Sequence, residues 1–338
     1  MNILYIGDTN YNSNSYLLGR AFKKIGNKIF HVNLLGINKN FCSKIIDFIN
    51  YRLDTSFFNF YFFFQLKKQI KNNKFKINLI IINQGEYYDE TILYFLKKKF
   101  NCKIVSIIYD NPFSDRDYKR FSLFKKAIDI YDYFFVVRKE TYRVFKKKNK
   151  KVFLFRRTYD EDMHRPYLSK NKTIDIIFIG TWIKNESRDY YLKELILRKF
   201  RLKIFGNRWH KSKYYKILKP FVFPAVYKRQ YAKKISISKI CLCFLSKGNQ
   251  DKDTTRTYEI PYMGGLLVAE RTKVHLDIFK ENEEAFFFSN ISELKKKIHF
   301  ILNHPKEAKK IRKAGMKKVR SLKVGNKNFA RFVISKIK

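Results

Sequence analysis

The chain is short of the residues that staple, break or anchor a fold. Only four cysteines occur in 338 residues, Cys42, Cys102, Cys241 and Cys243. Cys42 stands alone, and Cys241 and Cys243 alternate within an apolar run, which suits buried thiols on one face of a strand and not a disulfide framework. No apolar stretch reaches about 18 residues, so no spanning helix is expected. No secretory signal precedes the first apolar run, Asn2–Ile6, and a reducing cytoplasm is the expected setting. Glycine (12) and proline (6) are scarce, while 45% of the residues are hydrophobic and 17% aromatic; this is not the composition of a disordered chain. Acidic residues are few as well: 29 Asp and Glu against 73 Lys and Arg, a net charge of +44.

That charge has three readings: a nucleic-acid binder, a protein of anionic membrane surfaces, or a bias in codon composition. Lys, Asn, Ile, Phe and Tyr, all encoded by AT-rich codons, are abundant, and Gly, Pro and Ala are not. Composition therefore accounts for the charge without a function, although such a field still attracts phosphates and acidic lipid. Chemical motifs are missing too. There is no G-x-x-x-x-G-K-[ST] and no G-x-G-x-x-G, hence no P-loop and no dinucleotide fingerprint. The six histidines form no HExxH, no CxxC is present, and no zinc site is expected. A G-x-S-x-G elbow is also absent.

What is present is a rhythm of short β-rich runs and helical stretches. Strands are expected at Asn2–Ile6, Lys28–Asn33, Ile77–Ile82, Lys103–Tyr109, Asp132–Val137 and Val152–Phe155, with helices such as Tyr16–Lys24 and Asp89–Lys99 between them. Runs such as Leu79–Ile82, apolar at every position, belong in parallel sheets covered on both faces. The rhythm breaks around Arg156–Thr173 and resumes at Ile174–Ile179, Leu202–Phe205, Ile240–Leu245, Leu266–Ala269 and Ala285–Phe288. Helices follow near Ser292–Leu302, Pro305–Ser321 and Asn326–Ile337. The expectation is an α/β protein of two Rossmann-like, doubly wound parallel-sheet domains: residues 1–160, a linker at 161–173, a second domain at 174–322, and a C-terminal helix at 323–338 crossing back to the first. Ligands of such sheets bind beyond the carboxyl ends of the strands, and two facing domains make a cleft. The aromatic run Phe57–Leu66 (FFNFYFFFQL) reads first as a buried helix or loop, and second as a surface for lipid or a bulky acceptor. The basic runs Lys146–Lys151 and Lys295–Lys297 read as solvated faces.

The informative segment is Lys247–Glu270, KGNQDKDTTRTYEIPYMGGLLVAE. It begins where an apolar strand stops. Thr254 and Thr255 precede a helical turn whose free N–H groups and dipole suit a diphosphate. Arg256 and Glu259 share one helix face; Arg offers paired donors to phosphate, and Glu accepts from the two hydroxyls of a ribose. Gly264 and Gly265 allow a tight return into the next strand. The alternative for Arg256 and Glu259 is a surface ion pair.

The run T-T-R-T-Y-E-I-P-Y-M-G-G-L-L-V-A-E-R-T, residues 254–272, resembles the CgeB-like glycosyltransferases, a bacterial group of the GT-B fold. Retaining GT-B families carry an acidic residue eight positions before the ribose-binding Glu; here that is Asp251, one methylene shorter, giving D-x7-E and an implied role at the donor sugar. Ile174–Trp182 (IDIIFIGTW) resembles the strand and loop that open the nucleotide domain, which implicates Gly180, Thr181 and Trp182, although Gly180 could simply end a strand and Trp182 could be core. Phe205–Trp209, with Asn207, resembles the loop that borders the base. Lys247 resembles the basic residue that joins the donor phosphates. Tyr109-Asp110-Asn111-Pro112 resembles a D-x-P-type strand end of the first domain, making Asp110 a candidate base or a turn cap.

The resemblance thus implies a glycosyltransferase with a nucleotide-diphosphate sugar as donor substrate, no obligatory cofactor, and a glycan, lipid-linked or protein acceptor. Three strings match the metal-binding D-x-D of single-domain transferases, Asp115-Arg116-Asp117, Asp160-Glu161-Asp162 and Asp251-Lys252-Asp253, but so short a pattern recurs by chance and leaves the second domain unexplained. No metal site is expected; cationic side chains and the helix end would neutralise the leaving diphosphate. Peripheral association with an anionic membrane is expected, and no specific nucleic acid. The alternatives are a nucleotide-sugar epimerase of the same fold and a basic nucleic-acid-binding protein.

Overall fold

The computed structural model describes residues 1–11, 13–33, 59–114, 117–167, 169 and 171–337. They form two compact units, the first of residues 1–157 and 326–338, the second of residues 158–325. The first begins β1 (Asn2–Ile6), α1 (Asn14–Lys24), β2 (Lys28–Val32), α2 (Asn59–Lys71), β3 (Leu79–Asn83), α3 (Glu90–Phe100) and β4 (Lys103–Ile108). It continues α4 (Ser122–Lys126), β5 (Tyr133–Val136), α5 (Lys139–Lys147) and β6 (Val152–Leu154). Its sheet runs β2-β1-β3-β4-β5-β6, every pair parallel. Ile3–Ile6 and Leu79–Ile82 are fully buried at successive positions, because helices cover both faces. Local chemistry sets the helix ends: Ser13 Oγ accepts from the Tyr16 N–H and Asp89 Oδ1 from that of Ile92, each satisfying an amide of a first turn.

The second unit contains β7 (Ile174–Ile179), α6 (Arg188–Leu197), β8 (Leu202–Phe205), α7 (Tyr215–Leu218), β9 (Val222–Phe223), α8 (Lys228–Ser236) and β10 (Ser238–Cys243). Then come α9 (Thr255–Tyr262), β11 (Leu267–Glu270), α10 (Lys273–Ile278), β12 (Phe286–Phe288), α11 (Ile291–Asn303) and α12 (Pro305–Ser321). Its parallel sheet runs β12-β11-β10-β7-β8-β9. The chain winds one way from β7 to β9 and the other way from β10 to β12, so the topological switch point lies between β7 and β10. Cys241 and Cys243 are buried free thiols on β10, and burial pushes both up, to about 12 and about 11; Cys42 lies outside the described residues.

The chain passes between the units twice, after Arg157 and after Gly325. Within the second unit the two passages touch, through a bridge between Tyr159 and Gly325. Within residues 158–167, Thr158, Tyr159, Asp160 and His164 are buried, and Arg165 and Tyr167 are exposed. The last helix, α13 (Asn326–Ile337), joins the first unit, where Phe329 stacks on Phe155 with centroids 4.0 Å apart and Ala330, Val333 and Ile337 enter the core.

Candidate functional site

The switch point of the second unit gathers three segments: the loop after β7, the loop after β10, and the N-terminal turn of α9. That turn is tied down from beneath. The Thr254 N–H donates to Thr257 Oγ1 (3.1 Å), and Thr257 Oγ1 lies 2.9 Å from His275 Nε2. His275 Nδ1 is 2.7 Å from the Glu270 carbonyl oxygen, which can only accept, so Nδ1 carries the proton and Nε2 accepts from the Thr257 hydroxyl. Burial lowers the pKa of His275 and keeps this relay in its neutral form. Beyond α9, Gly264 turns the chain at φ +75°, and a Cβ on Gly265 would sit 2.7 Å from Ile235 Cγ2, so both positions need glycine.

Two arginines stand over this turn. Arg256 is the second residue of α9, and Arg188 opens α6. A cation at a helix N-terminus is at the wrong end of the dipole. Arg188 is 7% exposed; its Nη1 donates to the Thr181 carbonyl (3.1 Å) and its Nη2 to that of Leu245 (3.5 Å). These bonds link the loops after β7 and β10. The Nε atoms of both arginines are buried with no hydrogen-bond partner. Burial, and then Arg256 against the opposing pull of Glu186, holds the Arg188 guanidinium below its ordinary range. A buried and a half-buried guanidinium that repel one another at two helix N-termini, each with an unpartnered Nε, suit a polyanion.

Carboxylates frame the rest. Glu186 accepts from Ser246 Oγ (2.7 Å) and from the Lys247 N–H (3.0 Å), fixing the backbone of the loop while leaving Lys247 exposed. Glu270 Oε2 accepts from the Leu245 N–H (2.5 Å), and burial raises its pKa. Glu259, one turn beyond Arg256, is 6% exposed. It turns away from Arg256: Tyr231 donates its hydroxyl to Oε2 (3.0 Å), and His164 Nε2 lies 3.8 Å from Oε1. Burial and the Glu259 charge hold the Tyr231 phenol protonated. His164 Nδ1 accepts from the Asp160 N–H (3.1 Å), which leaves the ring proton on Nε2, facing Glu259.

Residues 188–330 match the family model described as "Glycosyl transferase-like". The match lies in the second unit except for its last five residues, 326–330. The match contains residues 254–272, the run that resembles the CgeB-like group. A search of curated proteins finds no match. Among solved structures, the chain is similar to sucrose-phosphate synthase from Thermosynechococcus elongatus, with TM-score 0.72 and 13% identity, covering 99% of this chain and 98% of that one. A glycosyltransferase from Rickettsia africae follows at TM-score 0.65 and 14% identity over 99% and 97% of the two chains. Anabaena HepE, solved with UDP and glucose, has TM-score 0.65 and 6% identity over 99% and 98%. The chain has the GT-B fold.

The switch point of the second unit gathers Thr181, Lys247, Thr254, Thr255, Arg256 and Glu259. Gly180 is buried beside them; its carbonyl accepts from Trp209 Nε1 (3.0 Å), and a Cβ on Gly206 would lie 2.0 Å from that same oxygen, so the close approach of the loops after β7 and β8 at this point needs glycine. Trp182 is packed in the core, its indole N–H given to Asp189 (3.0 Å). Asn207 follows β8 and donates to the Tyr227 hydroxyl (3.3 Å). Asp251 sits in the loop after β10, its Oδ1 accepting from Asn249 Nδ2 (2.8 Å). Asp110 belongs to the first unit, after β4, and its Oδ2 accepts from Gln84 (2.9 Å) and Arg120 (3.1 Å). Asp115 and Arg116 lie outside the described residues. No group of three or more His, Cys, Asp or Glu among the described residues is placed to hold a metal ion. Sequence reading missed Arg188, Glu186, Tyr231, His164 and His275. With 73 basic residues in the chain, one Arg after a Ser carries no contrast, and His164 and Tyr231 meet Glu259 only through the fold.

Proposed function

We propose that the protein transfers a sugar from a nucleotide-diphosphate sugar to a glycan, lipid-linked or protein acceptor. The observation that carries this reading is the pair of buried, unpartnered Arg188 and Arg256 Nε groups at the switch point, with Arg256 one turn from the buried Glu259. Glu259, oriented by Tyr231 and His164, takes the ribose hydroxyls. Arg188, Arg256, Lys247 and the amides around Thr254 and Thr255 take the diphosphate. In the transfer, the bond from the anomeric carbon to the diphosphate breaks and a bond to the acceptor oxygen forms. The charge left on the diphosphate is met by the two guanidiniums and the α9 dipole, a preorganised electrostatic stabilisation that needs no metal. Asp251 stands at the donor sugar. Asp110 takes the acceptor proton at Oδ1, since Oδ2 is committed to Gln84 and Arg120. Gly180 and Thr181 border the phosphates, Asn207 borders the base, and Trp182 supports their loop. HepE binds UDP and glucose, so uridine nucleotides are the first series to try. We place the reaction in the cytoplasm, at the inner face of the membrane.

Thermal-shift titration with UDP, GDP, ADP and their sugars tests the reading. A ligand at 100 times its dissociation constant adds about 2.7 kcal/mol of stability. One nucleotide series should stabilise the wild type and leave Glu259→Ala and Arg188→Met unmoved. Failure of every nucleotide to bind the wild type at low salt would overturn the proposal, and turnover of a nucleotide sugar without acceptor would indicate an epimerase.

A further inference from the structure

We propose that the outward face of α2 in the first unit docks on an anionic lipid surface. This goes beyond the donor site and does not depend on it. The helix divides the aromatic run sharply. Phe62, Leu66 and Ile70, spaced by four, are buried against the sheet. Phe60 and Phe64, also spaced by four, are 80% and 57% exposed, and no large hydrophobic among the described residues is more exposed than Phe60. Lys67, Lys68 and Lys71 are exposed and continue the same stripe over the following turns. No acidic residue occurs in Asn59–Lys71.

The neighbouring helix extends the character of this surface. Phe63 meets Phe95 of α3 edge-on at 5.0 Å, and the Lys67 ammonium sits 4.0 Å from the Phe63 centroid. Next to Phe95, Tyr94 is 61% exposed, and Lys98 and Lys99 of the same helix are exposed. α3 also carries the exposed Glu90 one turn before Tyr94, but on α2 exposed aromatic rings stand beside lysines with no acid in the helix, the composition of a helix lying in a bilayer interface: rings enter the acyl boundary and ammonium groups meet lipid phosphates. No helix among the described residues is long and apolar enough to cross a membrane, so attachment through this face is peripheral. The charge argues for lipid over a protein groove, since the stripe offers phosphate-seeking cations and apolar rings but no carboxylate for a partner's cations.

The discriminating variant is Phe60→Ser with Phe64→Ser, which leaves the net charge unchanged. Both positions are exposed, so the melting temperature should not move. Sedimentation with phosphatidylglycerol–phosphatidylcholine vesicles should show the wild type bound, and bound weakly to phosphatidylcholine alone. The Phe variant should lose about tenfold or more in partitioning, and so should Lys67→Gln, Lys68→Gln, Lys71→Gln. A charge-matched control on α12, Lys306→Gln, Lys309→Gln, Lys310→Gln, should lose little. Undiminished binding by the Phe variant would reduce the effect to bulk charge and overturn the proposal. So would a lipid-free dimer that Phe60→Ser, Phe64→Ser dissociates, or an RNA homopolymer bound in preference to vesicles. Nucleotide binding by the same variants, read by thermal shift, separates failure here from failure of the donor-site reading.

Discussion

The two units place arginines after their parallel strands in opposite states. In the first, Arg120 is fully provided for: Nη2 meets Glu86 at 2.8 Å, Nη1 meets Asp110 at 3.1 Å, and despite burial the two carboxylates raise its pKa above the ordinary arginine range. In the second, Arg188 and Arg256 hold unpartnered Nε groups, and the Arg188 guanidinium is pressed the other way. The folds are alike, so the difference is one of purpose. A guanidinium with its counter-ions built in completes a structure, whereas one without them reserves its charge for an anion that comes and goes. The same contrast holds for Asp110 and Glu259: one oxygen of the first is paired with an arginine, whereas the second accepts from the Tyr231 hydroxyl.

The sharpest way to break this comparison is to delete one arginine from each unit. Arg188→Met should weaken nucleotide-diphosphate binding by about 100-fold or more, because a charged, desolvated contact is lost. Its stability without ligand should stay within about 1 kcal/mol of the wild type, since the substitution also removes an uncompensated charge. Arg120→Met should do the reverse, costing about 2–3 kcal/mol in urea denaturation by stranding the buried Glu86 and the half-buried Asp110 while leaving nucleotide affinity unchanged. Equal stability losses in both variants would erase the distinction.

Acid should act on both units through buried histidines. Burial lowers His31 of the first unit to about 4 and His275 of the second below its ordinary value. A histidine with a depressed folded pKa binds fewer protons folded than unfolded. Its contribution is therefore whole above about pH 6.5 and is lost as the pH falls toward the folded value, near 4 for His31. Urea midpoints measured from pH 7.5 down to 4.5 should fall, and more shallowly in His31→Asn. Tyr231→Phe should cost about fivefold in nucleotide affinity, the worth of one positioning hydrogen bond, with kcat less affected. The smallest effect is expected from chelation: turnover should be the same in excess EDTA, and restoration of lost activity by Mg2+ or Mn2+ would put a metal where the arginines are proposed to act.

Much of the fold could be read from periodicity, because runs such as Leu79–Ile82 are apolar at consecutive positions, although the strand expected at Ile77–Ile82 spans Leu79–Asn83. The short β9, Val222–Phe223, was missed: two residues make no pattern. The nucleotide segment was legible because Thr254, Arg256 and Glu259 are close in sequence and share one helix. Its supports were not. His275 reaches Thr257 from another helix, His164 reaches Glu259 across 95 positions of chain, and Trp182, plausible as a pocket wall from its place after Gly180, turns inward because Asp189 takes its N–H. The run Phe57–Leu66 held two faces at once. Phe62 and Leu66 are core, Phe60 and Phe64 are surface, and Phe57 and Phe58 lie outside the described residues; a uniformly aromatic string cannot announce its own helical phase.

The return of α13 to the first unit sets an order of events during synthesis. The strands of that unit emerge from the ribosome first, yet one face of their sheet, covered in part by Leu18 and Phe22 of α1, stays incomplete until Phe329, Val333 and Ile337 have been made. The whole second unit is translated in the interval and, lying on one unbroken stretch of chain, can fold while the first waits. The unit begun first is thus finished last, since its closing helix is the last segment of the chain to be made.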